Sequence, residues 1–112
     1  MTKGVHLGEF EFYVMLAIHH LGREAYGVTI RRAIEERTGR TAVMGVVYAT
    51  LGRLTAKGLV DATLSAPLPV RGGRSRKLYQ LSPAGGRALA ESARMMRAML
   101  RGARLGVAGA DA

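Results

Sequence analysis

Between Leu59 and Leu81 the chain carries two short alternating segments on either side of a tip that no regular element can hold. Leu59–Leu64 alternates Leu59, Asp61 and Thr63 against Val60, Ala62 and Leu64, the period of a strand. Pro67 and Pro69 break any continuation. Lys77-Leu78-Tyr79-Gln80-Leu81 fits a return strand. Between them Arg71-Gly-Gly-Arg-Ser-Arg-Lys places four cations and two glycines in seven residues. Together these features predict a β-hairpin with a long basic loop. A hairpin of this kind, set among helical patterns, leaves few architectures open.

Three helical patterns precede it. Leu7–Leu21 has no proline, and Phe10, Val14, Ile18 and Leu21 make one stripe, with Phe12, Met15 and Leu16 outside it. Apolar on more than one side, such a helix is central or lies at a subunit interface. Gly22 ends it. Tyr26–Arg37 repeats Tyr26, Ile30, Ala33 and Ile34 at helical spacing, and Gly39 is its stop. Gly45–Lys57 sets Val47, Leu51 and Leu54 inward and Gly58 closes it. At 100° per residue that turns Val46, Ala49, Thr50, Arg53 and Lys57 toward solvent. After the hairpin, Ser82-Pro83 opens a last helix with an N-cap and a first-position proline. Leu89, Ala93, Met96, Leu100 and Ala103 run along it at spacings of 4, 3, 4 and 3, a short heptad-like seam. Gly85, Gly86 and Gly102 weaken this helix, so it needs a partner surface. The expected fold is α+β, mostly α. It divides into a winged helix-turn-helix over 1–81, a C-terminal dimerisation helix over 82–105 and a disordered tail over 106–112.

Charge narrows the partners. The 112 residues hold 17 Lys and Arg against 8 acidic residues, a formal charge of +9, which attracts polyanions. Fourteen of the cations are Arg, a bias that a GC-rich genome also produces. The planar Arg fork suits phosphate and guanine. With no Cys, disulfides and thiolate metal sites are excluded. His19 and His20 are adjacent and point apart on a helix, a poor metal site. No acid–base pair, nucleophile motif or phosphate-binding loop stands out, so neither an enzyme nor a cofactor is expected. Val14–Ile18 is too short to span a bilayer, and no basic segment precedes an apolar run near the start. The expectation is a cytoplasmic protein without a membrane partner.

Three helices followed by a hairpin make the winged helix-turn-helix arrangement, whose third helix enters a major groove about 12 Å wide. Thr50, Arg53 and Lys57 give that helix donors for base edges and phosphates. Such cations are ordinarily just solvated; the basic tip is the more telling feature. Tyr48 flanks the apolar stripe and either packs or reaches a phosphate, whereas a tyrosine placed like Tyr26, at the start of the second helix, is more often core than ligand. Met95, Met96 and Met99 read first as dimer packing and second as a soft ligand pocket.

Several stretches then resemble the PadR family of bacterial transcriptional regulators, in its short form with one C-terminal helix. They are Leu7-Gly-Glu-Phe-Glu, Ala25-Tyr-Gly-Val-Thr-Ile, Gly45-Val-Val-Tyr-Ala-Thr-Leu-Gly-Arg-Leu, Lys57-Gly-Leu-Val, Arg71-Gly-Gly-Arg and Tyr79-Gln-Leu-Ser-Pro-Ala-Gly. They run in family order over nearly the whole chain. The resemblance implies a homodimer on a double-stranded DNA operator, acting as a repressor released by a small hydrophobic or aromatic effector. The implied DNA contacts are Tyr26, Tyr48, Thr50, Arg53, Lys57, Arg74, Arg76 and Lys77. The implied dimer surface is Phe12, Leu89, Ala93, Met96 and Leu100, and an effector would lie near Phe10, Met96 and Met99. Departures from the family are Val43 in place of a small polar residue, Gly52 where an acidic residue is frequent, and Leu78 in the second wing strand. A chain without Trp also departs from relatives with an aromatic sandwich pocket; Phe10, Phe12 and Tyr13 are read as core. The competing reading, favoured by pI ≈ 11.1, is an RNA- or ribosome-associated winged-helix module without effector.

Overall fold

A computed structural model describes residues 6–65 and 76–106. Its elements are α1 (Glu9–Leu21), a 3₁₀ turn (Gly22–Glu24), α2 (Gly27–Thr38), α3 (Met44–Ala56), β1 (Val60–Leu64), β2 (Lys77–Leu81) and α4 (Pro83–Leu100). Order and type match the sequence expectation, and boundaries move by one or two residues except at the end of α4. The sequence places Ala103 on that helix, yet it stops at Leu100, and Gly102 turns the chain at φ 79°.

Val14, Met15 and Ile18 of α1, Ile30 and Ile34 of α2, and Val47, Leu51 and Leu54 of α3 form one buried cluster. Leu59, Val60 and Tyr79 close it from the hairpin side. Removing such an aliphatic side chain from a core costs about 2–5 kcal/mol, so these positions set the relative placement of the three helices. Gly39 ends α2 in the left-handed region at φ 71°, where its N–H reaches the Glu35 carbonyl at 2.9 Å.

β1 and β2 pair antiparallel, from Val60 opposite Leu81 to Leu64 opposite Lys77. The chain ahead of α2 joins this ladder. Tyr26 bridges Leu78, and the Tyr79 N–H donates to the Ala25 carbonyl at 2.9 Å. The wing is therefore hydrogen-bonded to the entrance of α2, and its base cannot swing freely.

The corner into α4 is tied as tightly. Ser82 donates its hydroxyl to the Gly58 carbonyl at 2.6 Å and accepts from the Gly85 N–H at 2.9 Å. Its own N–H donates to the Leu59 carbonyl at 3.0 Å. A Cβ on Gly85 would stand 1.8 Å from the Leu59 carbonyl oxygen, so only glycine lets α4 approach this closely. Gly86, read from sequence as equally weakening, has open space around it.

Among the described residues no helix is long and apolar enough to cross a membrane.

Candidate nucleic-acid interface

The exposed face of α3 is small and apolar at its centre, with Gly45, Val46, Ala49 and Gly52 open to solvent and Arg53 beside them. Thr50 corrects the sequence reading. Expected to face DNA, it is 0% exposed. It lies on the flank of the inward stripe, and its hydroxyl donates to the Val46 carbonyl of its own helix at 2.8 Å. A threonine can be buried at low cost that way, because its one polar group is already satisfied. The same oxygen accepts from Arg53 Nη2 at 3.2 Å, so Thr50 acts on the surface only through Arg53.

Tyr48 is half exposed and lies over the first turn of α2. A Cβ built on Gly27 would stand 2.5 Å from the Tyr48 hydroxyl oxygen, so the missing side chain is what admits the phenol. Tyr79 is buried behind the hairpin; burial first, and then the neighbouring Tyr48 hydroxyl, push its own hydroxyl above the usual range. It therefore stays neutral, a packing residue and not a charge.

Tyr26, Gly27, Val28, Arg32, Tyr48, Arg76 and Lys77 line an open groove of about 510 Å³. Its floor is the start of α2, where the first backbone N–H groups lack helical partners and the helix dipole is positive. Three cations, Arg32, Arg76 and Lys77, share its rim. The Arg76 guanidinium carbon sits 4.4 Å from the centre of the Tyr26 ring, a cation–π contact. The Arg76 backbone is fixed by Ser65 at 2.7 and 2.8 Å. Such a groove suits an oxygen-rich anion of phosphate type. Tyr26, Tyr48, Arg76 and Lys77 were expected at a DNA contact and are brought together here. Arg32 was missed, since on sequence it is one of several charges on the polar faces of α2. Arg74, with Arg71 and the two tip glycines, lies outside the described residues.

Arg53 and Lys57 face an acid that the sequence reading overlooked. Glu11 on α1 is 7% exposed. Its Oε2 accepts from Lys57 Nζ at 2.9 Å and lies 3.7 Å from Arg53 Nε. Its Oε1 accepts from the Gly8 N–H at 3.0 Å, the reach-back of an N3 carboxylate to its N-cap. Burial pushes the carboxyl up, but the Lys57 and Gly8 hydrogen bonds and the charges of Lys57 and Arg53 outweigh it and hold it below its ordinary value. A buried charge is tolerated when paired in this way. The available signal was a glutamate near the start of the first helical pattern, three residues after Gly8, the spacing of a capping box.

The residues expected at a dimer surface divide into two groups. Phe12 and Leu89, 7% and 6% exposed, are already core within one chain. Ala93 is half-buried, and Met96 and Leu100 are exposed. The seam thus leaves the body of the protomer and continues along a helix exposed on all sides from Arg94 onward. His6, Leu7, Phe12, Met95, Met96 and Met99 line an open groove of about 460 Å³ beside it. The expected effector residues are not all brought together. Met96 and Met99 share this groove, whereas Phe10 packs under the Arg40 guanidinium at 5.5 Å.

A three-helix core, an antiparallel wing and a cationic groove between wing and third helix define the class: a winged helix-turn-helix transcriptional regulator. The match to the "Transcriptional regulator PadR-like family" spans residues 15–91, and the chain belongs to that family. It is 34% identical over 85 residues to transcriptional regulator Rv3488 of Mycobacterium tuberculosis, covering 75% of each protein. A PadR family regulator of Clostridium difficile R20291 superposes with a TM-score of 0.73 at 23% identity, covering 84% of this chain and 93% of that one. A PadR family regulator of Eggerthella lenta superposes with a TM-score of 0.64 at 27% identity, covering 80% and 75%. Members of this family regulate transcription and are not enzymes.

Proposed function

We propose that the chain binds duplex DNA as a homodimer and represses transcription, with α3 in the major groove and the wing on the adjacent backbone. The observation that carries this reading is the groove at the start of α2, which Arg32, Arg76 and Lys77 line together with Tyr26 and Tyr48. It lies beside the exposed face of α3, as a phosphate flanking an inserted helix would require. A second copy supports the reading, because the outer half of α4 leaves Met95, Met96, Met99 and Leu100 uncovered. Two copies place two reading helices on one duplex. The soft Met-lined groove next to that seam is the place for a small apolar effector, whose binding would re-angle the pair and release DNA.

The test starts from duplexes selected out of a random pool, measured by fluorescence anisotropy over a range of salt. Arg76→Ala and Lys77→Ala should each weaken binding to all sequences and lower the slope of log K against log salt by about 1. Unchanged slopes in both variants would remove the groove from the interface. Tighter binding to structured RNA than to any selected duplex would favour the RNA-associated module instead.

A further inference from the structure

Among the described residues Glu11 is the only buried carboxylate, lysine or arginine, and it pairs with Arg53 of α3 and with Lys57, the residue that follows that helix. A carboxylate in that place works against affinity for DNA. It sits behind the reading helix of a chain with formal charge +9 and cancels part of the attraction its neighbours would exert on phosphate. A strut between α1 and α3 needs no charge, because a neutral side chain of the same volume would fill the site.

We propose that Glu11 is a positioning residue that sets sequence specificity by restraining Arg53 and Lys57. The inference rests on the DNA-binding reading given above. Glu11 is too buried to meet DNA itself, so it acts through its partners. Lys57 is drawn back onto α1 at 2.9 Å, which withholds a mobile ammonium from the phosphate backbone. Arg53 is held along one edge, by Glu11 at Nε and by Thr50 at Nη2, while over half of its side chain stays in solvent. A guanidinium fixed on one edge and open on the other is suited to a base edge, because little orientation is left to lose on binding. Two loose cations would instead favour any duplex. Specificity is a difference between affinities, and an anion that lowers the non-specific one raises it.

The deciding variant is Glu11→Gln, which keeps one of the two acceptor oxygens, enough for the Gly8 N–H, and removes the charge. Binding to a selected duplex and to a random duplex is measured across a range of salt, at a temperature where a melt shows the variant folded. The expected result is tighter random-duplex binding and a salt slope steeper by about 1, as Lys57 gains a phosphate. The ratio of selected to random affinity should fall by about fivefold or more. The double variant Glu11→Gln/Lys57→Gln should bring the slope back to the wild-type value. Glu11→Met, which fills the volume with no acceptor, is the second variant and should shift slope and ratio the same way. A lower melting temperature with slope and ratio unchanged would make Glu11 a strut only and overturn the proposal. A wild-type protein that binds no duplex at all would overturn both this proposal and the reading beneath it.

Discussion

At the scale of single residues, the interface is held by contacts that are easy to break one at a time. Gly27 is a case where the absence of a side chain places another. In Gly27→Ala the new methyl would collide with the Tyr48 hydroxyl, and since Tyr48 is half exposed its ring would swing aside and the backbone would stay. Although Gly27 is buried, the clash is only with the far end of a half-exposed side chain, so folding stability should change by less than about 1 kcal/mol. Duplex affinity should fall by about threefold to tenfold, the worth of one hydrogen bond. A urea melt beside an anisotropy titration checks both, and a variant that binds as well as wild type would detach Tyr48 from the interface. Glu11 makes a prediction in pH. Its carboxyl is held below its ordinary value of 4.5 in the folded chain, so its ionised form stabilises the fold. That contribution is complete above the unfolded value and is lost as pH falls through the folded one. The wild-type melting temperature should therefore drop more steeply below pH 4.5 than that of Glu11→Gln; parallel curves would contradict the pairing. Neither residue received a role from sequence: nothing local marks Gly27 as making room for Tyr48, and only the spacing of Glu11 from Gly8 signals its cap. Thr50 misled for a related reason. It lies only about 70° around the helix from the centre of the inward stripe, and the projection at 100° per residue counted this polar residue on the outward side. Its bond to the Val46 carbonyl removes that polarity from the account.

At the scale of elements, starts and stops were the legible part, because they are set by local chemistry. Ser82-Pro83, Gly22, Gly39 and Gly58 are each where the residue type requires. Local chemistry cannot tell which glycine is there for a neighbour, and Gly85 and Gly86 show the difference. Gly85→Ala would drive a methyl into the Leu59 carbonyl and should destabilise by about 2–3 kcal/mol, the cost of overpacking. Gly86→Ala meets open space and should stabilise α4 by about 0.5–1 kcal/mol. Chemical denaturation of the two variants separates them by sign. Equal effects would mean that the α4–β1 corner is looser than its hydrogen bonds show. The end of α4 was misplaced because the heptad pattern carries past Leu100 in sequence. From Arg94 onward every described residue of the helix is exposed, and the pattern alone cannot hold it.

At the scale of the whole molecule, that unsupported half-helix is the feature one chain does not explain. A helix exposed on every side is marginal in water, and this one displays Met95, Met96, Met99 and Leu100 beside Phe12 of α1 and Leu7 just ahead of that helix. A second copy related by a two-fold axis would cover each seam with the other and make both helices stable. The same axis would set two α3 helices toward successive turns of one duplex. Pairing and DNA binding are then linked, and one change should move both. Met99 is 83% exposed, so Met99→Glu leaves the protomer core untouched. In Met96→Glu/Met99→Glu, sedimentation should shift from dimer to monomer while the isolated fold still melts cooperatively. Duplex affinity should fall by at least about a hundredfold, because the second half-site is no longer tethered to the first. If the double variant stays a dimer, the two chains meet elsewhere and the Met face is open for a ligand. If it becomes monomeric and still binds a two-half-site duplex as tightly as wild type, one reading head is enough, and the apolar end of α4 serves something other than DNA recognition.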